Sequence, residues 1–280
     1  MLKASWLLVG VLAVSLVWHG GAAAQSDALE RIDAIYLLSE KDNTAALEQM
    51  RQLGDSLGSK APYAVRRAYL AKRIELELDS AQTDAARASI ATLLHLAQAQ
   101  KDDAGIALAT VLDAYILVSA AKLEAALLKL GEALPLAQRA ADPEVLWQHY
   151  RVQGLAQLAL GQFAQALESF LQCQRYADQQ THNAPQSRLR ALGELSKVYA
   201  AMKNPQKSLA VIDEALVLAK QLDSNKMQAT LYLNQGNEFA ILGRSKDSIR
   251  AYERALKVSR DSVGAFRGHT AQQHRRQQSA

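Results

Sequence analysis

One spacing recurs along this chain and limits what it can fold into. Small residues stand at Ala46, Ala86, Ala126, Ala166, Ser208 and Ser248, in steps of 40, 40, 40, 42 and 40 residues. Four positions after each comes a large apolar residue: Met50, Ile90, Leu130, Phe170, Ile212 and Tyr252. Three further on come Leu53, Leu93, Ala133, Cys173, Ala215 and Ala255. Offsets of 4 and 7 put all three on one face of an α-helix. A second marker keeps the same phase at Ala97, Ala137, Ala177, Ala219 and Ser259. Such a period means one supersecondary element used again and again, each copy burying its apolar face against its neighbours.

A first helix precedes the one that carries these markers. Tyr150, Leu192 and Tyr232 stand four before Gly154, Ser196 and Gly236, and Tyr199 and Phe239 stand three after Ser196 and Gly236. Gly161 and Gly243 mark the turn that follows. Each unit therefore reads as a helix, a short turn and an antiparallel helix. Small residues where the two cross let the backbones approach, and the large residue between them fills the groove beside the crossing. Punctuation agrees. Asp142-Pro143-Glu144 offers an N-cap, a proline in the first turn and an early carboxylate, and Asn204-Pro205 repeats the cap. Pro62 and Pro185 precede the second and fifth units. Pro135 falls inside the second helix of unit three and should kink it. In unit two Leu70, Ile74 and Leu78 keep helical spacing, but Glu77 occupies the slot of Tyr199 and Phe239.

Composition supports an all-α chain. Of 280 residues 49% are hydrophobic, which excludes disorder for most of the chain, and Gly (14) and Pro (5) are sparse. A doubly wound α/β domain or an all-β fold does not suit this mixture. The formal charge of +4 is too small and scattered to indicate nucleic acid. A single cysteine, Cys173, excludes an intramolecular disulfide and any multi-cysteine metal centre.

The N-terminus reads as an address. Lys3 precedes an uncharged stretch from Trp6 to Trp18, and Ala22 and Ala24 stand at the −3 and −1 positions of an Ala-x-Ala site. This is the pattern of a signal peptide, residues 1–24, with export to the periplasm or beyond. The stretch is short against the roughly 20 residues a bilayer needs. No cysteine follows it, so a lipoprotein anchor is excluded, and no stable membrane anchor is expected after cleavage. The repeat domain covers 25–260. Residues 261–280, DSVGAFRGHTAQQHRRQQSA, lack a helical apolar pattern and read as a disordered basic tail.

No constellation of catalytic residues stands out. Ser119 and Lys122 have a Ser-x-x-Lys spacing without the accompanying acyl-transfer signatures, and fall in a turn. His19, His95, His149, His182, His269 and His274 show no zinc-motif spacing, and no Gly-rich phosphate loop is present. His95 reads as a helix-face residue, His182 as a loop residue and Cys173 as a structural thiol. No enzyme, cofactor or metal is expected.

The repeated residues resemble the tetratricopeptide repeat, with its aromatic, Leu-Gly and Tyr positions on the first helix and Ala–aromatic–Ala on the second. Unit six matches through Tyr232, Gly236, Phe239, Gly243, Tyr252 and Ala255, and unit four through Tyr150, Gly154, Gly161, Phe163, Ala166 and Phe170. The family's usual unit is about 34 residues. The longer step here is similar to the variety in kinesin light chains and in periplasmic regions of bacterial signalling proteins. Units one to three match only in the second helix. The resemblance implies a right-handed α-solenoid of about six antiparallel helix pairs, whose first helices line a concave, peptide-binding face. On that face units four to six would place Gln148, Arg151, Arg190, Lys197, Thr230, Asn234 and Asn237. Lys and Asn grip peptide carboxylates in some family members; Gly193 and Leu233 break the pattern, and an ordinary solvated face fits the same residues. The matching positions of earlier units, Ile35, Leu108, Val111 and Tyr115, suit either a second contact patch or packing.

The implied function is an exported, non-catalytic scaffold that binds a protein or peptide partner and no nucleic acid. The alternative is a truncated periplasmic sensory region of a membrane-bound diguanylate cyclase or sensor kinase. Unit six adds one expectation. Its second helix carries Ile249, Leu256 and Val258, some of which should face a further helix, so self-association through that end is expected.

Overall fold

A computed structural model describes residues 24–58 and 60–260. Residues 1–23 of the predicted leader 1–24 and the tail 261–280 lie outside the described residues. Among those described, twelve helices and no strand are found. They are α1 (24–38), α2 (Asn43–Leu57), α3 (Tyr63–Asp79), α4 (Thr83–Gln100), α5 (Asp103–Ser119) and α6 (Leu123–Ala140). Then follow α7 (Pro143–Ala159), α8 (Phe163–Ala177), α9 (Ala184–Ala201), α10 (Pro205–Gln221), α11 (Asn225–Ile241) and α12 (245–260). Each of the six sequence units is thus one helix pair, and the fold is all-α.

The turns within units are built alike. One left-handed residue ends each first helix of units two to six: Ala81, Ala121, Gly161, Lys203 and Gly243. The next amide then donates to the carbonyl five residues back, as in Gln162 to Gln157 (2.8 Å), Asn204 to Tyr199 (2.9 Å) and Arg244 to Phe239 (2.8 Å). Both expected proline caps form. The Asp142 side chain accepts from the Glu144 and Val145 amides at 3.0 and 3.3 Å, and Asn204 accepts from Lys207 at 3.1 Å. The two extra residues of the 42-residue step lie in the connection 178–183 between α8 and α9.

The backbone divides into two compact units, residues 24–39 with 43–89, and residues 40–42 with 90–260, the boundary falling inside α4. In the first, Ala46, Met50, Leu53, Leu70, Ile74, Leu76 and Ala86 are buried. Glu77 in its aromatic slot is fully buried as well. Arg73 donates to it through Nε at 2.8 Å and through Nη1 to the Tyr69 hydroxyl at 3.0 Å, so an ion pair replaces the aromatic contact.

In the second unit the repeated register is the core. Ala126, Ala166, Leu130, Phe170, Ala133, Cys173, Ile212 and Ala215 are all at most 1% exposed. Serine replaces alanine at two crossings without leaving a buried hydroxyl unsatisfied. Ser208 Oγ donates to the Ser196 carbonyl at 3.0 Å and Ser248 Oγ to the Gly236 carbonyl at 2.8 Å, in each case across the pair. Pro135 lies inside α6, which runs on to Ala140. Pro135 and Gly131, whose carbonyl loses its helical donor, are both exposed, so water can take that bond.

Successive first helices of this unit touch one another: α5 meets α7, α7 meets α9 and α9 meets α11. The second helices α6, α8 and α10 do not meet one another. The layers therefore curve with the first helices on the inner side, and those helices position the candidate residues.

Candidate functional site: the inner face of helices α5 to α11

The expected residues differ in what they offer a ligand. Lys197 on α9 is exposed, and its Nζ donates to both oxygens of Glu194, each at 3.0 Å. Arg190, about two turns earlier, has Nη2 3.5 Å from Glu40, in the short stretch 40–42 that groups with this unit. Thr230 donates to the Lys226 carbonyl of its own helix at 2.9 Å. Asn237 is exposed and accepts the Tyr252 hydroxyl at 2.8 Å, while Asn234 is half-buried. Gln148 departs from the expectation of a surface residue: it is only 2% exposed. Of the apolar positions, Leu108 and Val111 are core, so packing is the better account of them, and Tyr115 stays half-buried at the inner face.

Arg151 stands apart. Its guanidinium carbon lies 5.0 Å from the Tyr115 ring centroid on α5 and 5.4 Å from that of Trp147 on its own helix. Trp147 is anchored in turn, its indole N–H donating to the Ser187 carbonyl at 3.3 Å. Arg151 Nε donates to Gln148 Oε1 at 3.1 Å. The other amide atom, Gln148 Nε2, is buried without a hydrogen-bond partner. The sequence showed Arg151 as one polar position among several. The Trp147/Arg151 spacing of four was the only local sign that ring and cation would share a face, and Tyr115 joins them only through the packing of α5 on α7.

Two buried groups nearby do other work. His149 is 1% exposed, and neither ring nitrogen has a partner. Burial lowers its pKa to about 4, so the ring is neutral. Cys173 is fully buried, and desolvation raises its pKa far above the thiol range in spite of the nearby Arg151, which fits a structural thiol. Further along, Glu238 is 3% exposed, and burial raises its pKa, opposed only in part by the nearby Ser208 hydroxyl. A cleft of about 560 Å³ between α9 and α10 is floored by Leu192, Val217 and Leu218. Its cation Arg188 is already shared by Glu214 at 2.9 Å and Asp178 at 3.6 Å. Among the described residues no group of His, Cys, Asp and Glu could hold a metal, and no helix is long and apolar enough to cross a membrane.

Comparison with known proteins gives the same architecture. Residues 187–261 match the tetratricopeptide repeat family. A Rap protein complexed with Competence and Sporulation Factor is 15% identical, with a TM-score of 0.59 over 82% of this chain and 73% of that one. BtubC from P. vanneervenii is 13% identical, with a TM-score of 0.58 over 85% and 92% of the two chains. A putative kinesin light chain with nearly identical TPR-like repeats from Podospora anserina is 14% identical, with a TM-score of 0.51 over 72% and 98%. At these identities the likeness is one of fold. No curated protein matches the sequence.

Proposed function

We propose, from the premise that this chain belongs to the tetratricopeptide repeat family through residues 187–261, that it is an exported, non-catalytic scaffold holding a protein or peptide segment. The binding surface in this reading is the inner face of α5 to α11. What supports it is that Arg151, Arg190, Lys197, Asn234 and Asn237, none of them fully buried, lie on three successive first helices, α7, α9 and α11. A repeat array leaves such a surface extended and continuous, which suits a peptide better than a small substrate. The fold neighbour complexed with Competence and Sporulation Factor supports the same mode. Export rests on the Lys3, apolar, Ala-x-Ala order of the N-terminus.

The test is a partner captured by the exported protein and then measured in solution. Replacing Arg151, Lys197 and Asn237 together with alanine should weaken it by at least tenfold and flatten its salt dependence. Unchanged affinity and salt dependence would place the partner elsewhere. Intact mass of the exported protein should show a chain that begins at Gln25, and a mass retaining residues 1–24 would refute cleavage.

A further inference from the structure

We propose that the cleft between α9 and α10 is a docking site for an aromatic side chain followed by a basic one, and that its occupant is Phe266-Arg267 of this chain's own C-terminal tail. The inference does not depend on the inner-face reading above.

Three observations carry it. The first is why the cleft exists. The 42-residue step carries Tyr150 and Tyr176 of unit four onto Leu192 and Leu218 of unit five. In unit four the two tyrosine rings stack, with centroids 5.6 Å apart and planes 5° apart. In unit five the two leucines that take their places floor the cleft of about 560 Å³. Each leucine is shorter than the ring it replaces, so the space that unit four fills with its own aromatic pair stands open here.

The second is that the edge is not sealed. Helix α8 stops at Ala177, whereas α6 runs three residues past the matching Ala137 and α10 two past Ala219. The connection 178–183 has six residues, against two or three in 101–102, 141–142 and 222–224. The cleft opens beside it, with Asp178 on the rim, and Val217 stands 58% exposed at the mouth. An apolar hollow with a few polar groups at its rim suits an apolar side chain that has a polar neighbour.

The third is what can reach it. Val258, two residues before the end of α12, packs against the same apolar cluster as Leu218, the cluster to which Leu192 belongs. Phe266 follows α12 by six residues, a chain that spans up to about 20 Å. Packed helices lie about 10 Å apart, so the far side of α10 is within that span. Phe266 is the only Phe, Tyr or Trp after Tyr252. Arg267 follows it, and the rim holds two acids, Asp178 and Glu214, against one base, Arg188. A second guanidinium balances that excess. Pairs as exposed as these orient the ligand more than they hold it, and burial of the ring supplies most of the affinity.

The chain has four phenylalanines, Phe163, Phe170, Phe239 and Phe266. The full chain labelled with 4-fluorophenylalanine reports each by fluorine NMR, and Phe266→Leu identifies the resonance of Phe266 by its loss. That resonance should be displaced from its position in the isolated peptide 261–280. Val217→Lys sets a charge at the mouth, and Leu218→Tyr returns a ring of unit four to the cleft. Both should move the resonance back to the peptide position while those of Phe163, Phe170 and Phe239 hold, which shows that the fold is kept. Trypsin cleavage after Arg267, measured against cleavage after Arg276 in the same chain, should quicken about tenfold in Val217→Lys. A wild-type Phe266 resonance at the peptide position overturns the proposal. So does a displaced resonance that neither cleft variant moves, since the ring is then seated elsewhere. A displacement that disappears on dilution puts the tail of a second copy in the cleft and overturns docking within one chain.

Discussion

Phe170 lies directly over Gly154: a methyl group added at Gly154 would stand 2.8 Å from the Phe170 ring. The ring is fully buried, so it has nowhere to go. The glycine is what allows α7 to approach α8 at this crossing. Gly154→Ala should therefore destabilise the chain by about 1–3 kcal/mol despite the better helix propensity of alanine. The same change at Gly236 meets Tyr252 at 2.4 Å, but that ring is only half-buried and can swing outwards. Gly236→Ala should cost less. Urea denaturation of the two variants side by side gives the comparison, and the reverse order would contradict this account of the crossing.

Ala166 is 0% exposed, at the position that Ala126 fills one layer before. Ala166→Arg forces a charge and a long side chain into that contact and should lower the melting temperature sharply. Gln162, one turn earlier, is exposed, so Gln162→Arg should be nearly silent. Equal effects in a thermal melt would show that the register is misplaced.

His149 links stability to pH. Its folded pKa of about 4 lies below the ordinary 6.5, so between these values the unfolded chain binds the proton and the folded chain does not. Stability contributed by the neutral ring is complete above pH 6.5 and is lost as the pH falls towards 4. The loss amounts to about 3 kcal/mol at the acid end. His149→Leu should remove that component, so the denaturant midpoint of the variant should rise relative to that of the wild type on going from pH 7 to pH 4.5. A constant difference between them would mean that His149 titrates normally.

Leu256 and Leu216 occupy the same place in successive units. Leu216 is 5% exposed, packed with Leu231 and Tyr232 of the following helix, whereas Leu256 is 55% exposed and Ile249 57%. Exposed apolar residues grouped on one face favour association, so the chain should self-associate at micromolar concentration through α12. Light scattering should show Leu256→Lys shifted to monomer. A wild type that is monomeric, and indistinguishable from the variant, would rule this contact out.

Much of the fold was legible in the sequence because a period needs no knowledge of the neighbours. The small residue, the large residue four later and the third at seven mark one face of a helix wherever they fall, and in this structure they are buried up to Ala255 except the half-buried Tyr252. The proline caps at Asp142 and Asn204 were equally plain, since a cap is made within a few residues. Glu77 was read as a defect of unit two because its partner, Arg73, acquires meaning only when both leave water. Ser259 shows the same from the other side. It keeps the phase of Ala219 but lies exposed, since phase is local and burial depends on what packs against the position.

The candidate site divides in the same way. The sequence by itself determined that the chain is a series of antiparallel helix pairs, and which residues sit at their crossings. It also placed Gln148, Arg151, Arg190 and Lys197 on first helices. Only the tertiary structure decided which of these are spent on one another. Lys197 finds Glu194, Arg190 finds Glu40, and Gln148 is buried and accepts from Arg151, whose guanidinium lies against rings from two helices. The physical reason is range. Helical periodicity is fixed by contacts three and four residues apart, whereas the pairing of charges and the desolvation of an amide depend on side chains far apart in sequence, as Arg190 and Glu40 are, which only packing brings together.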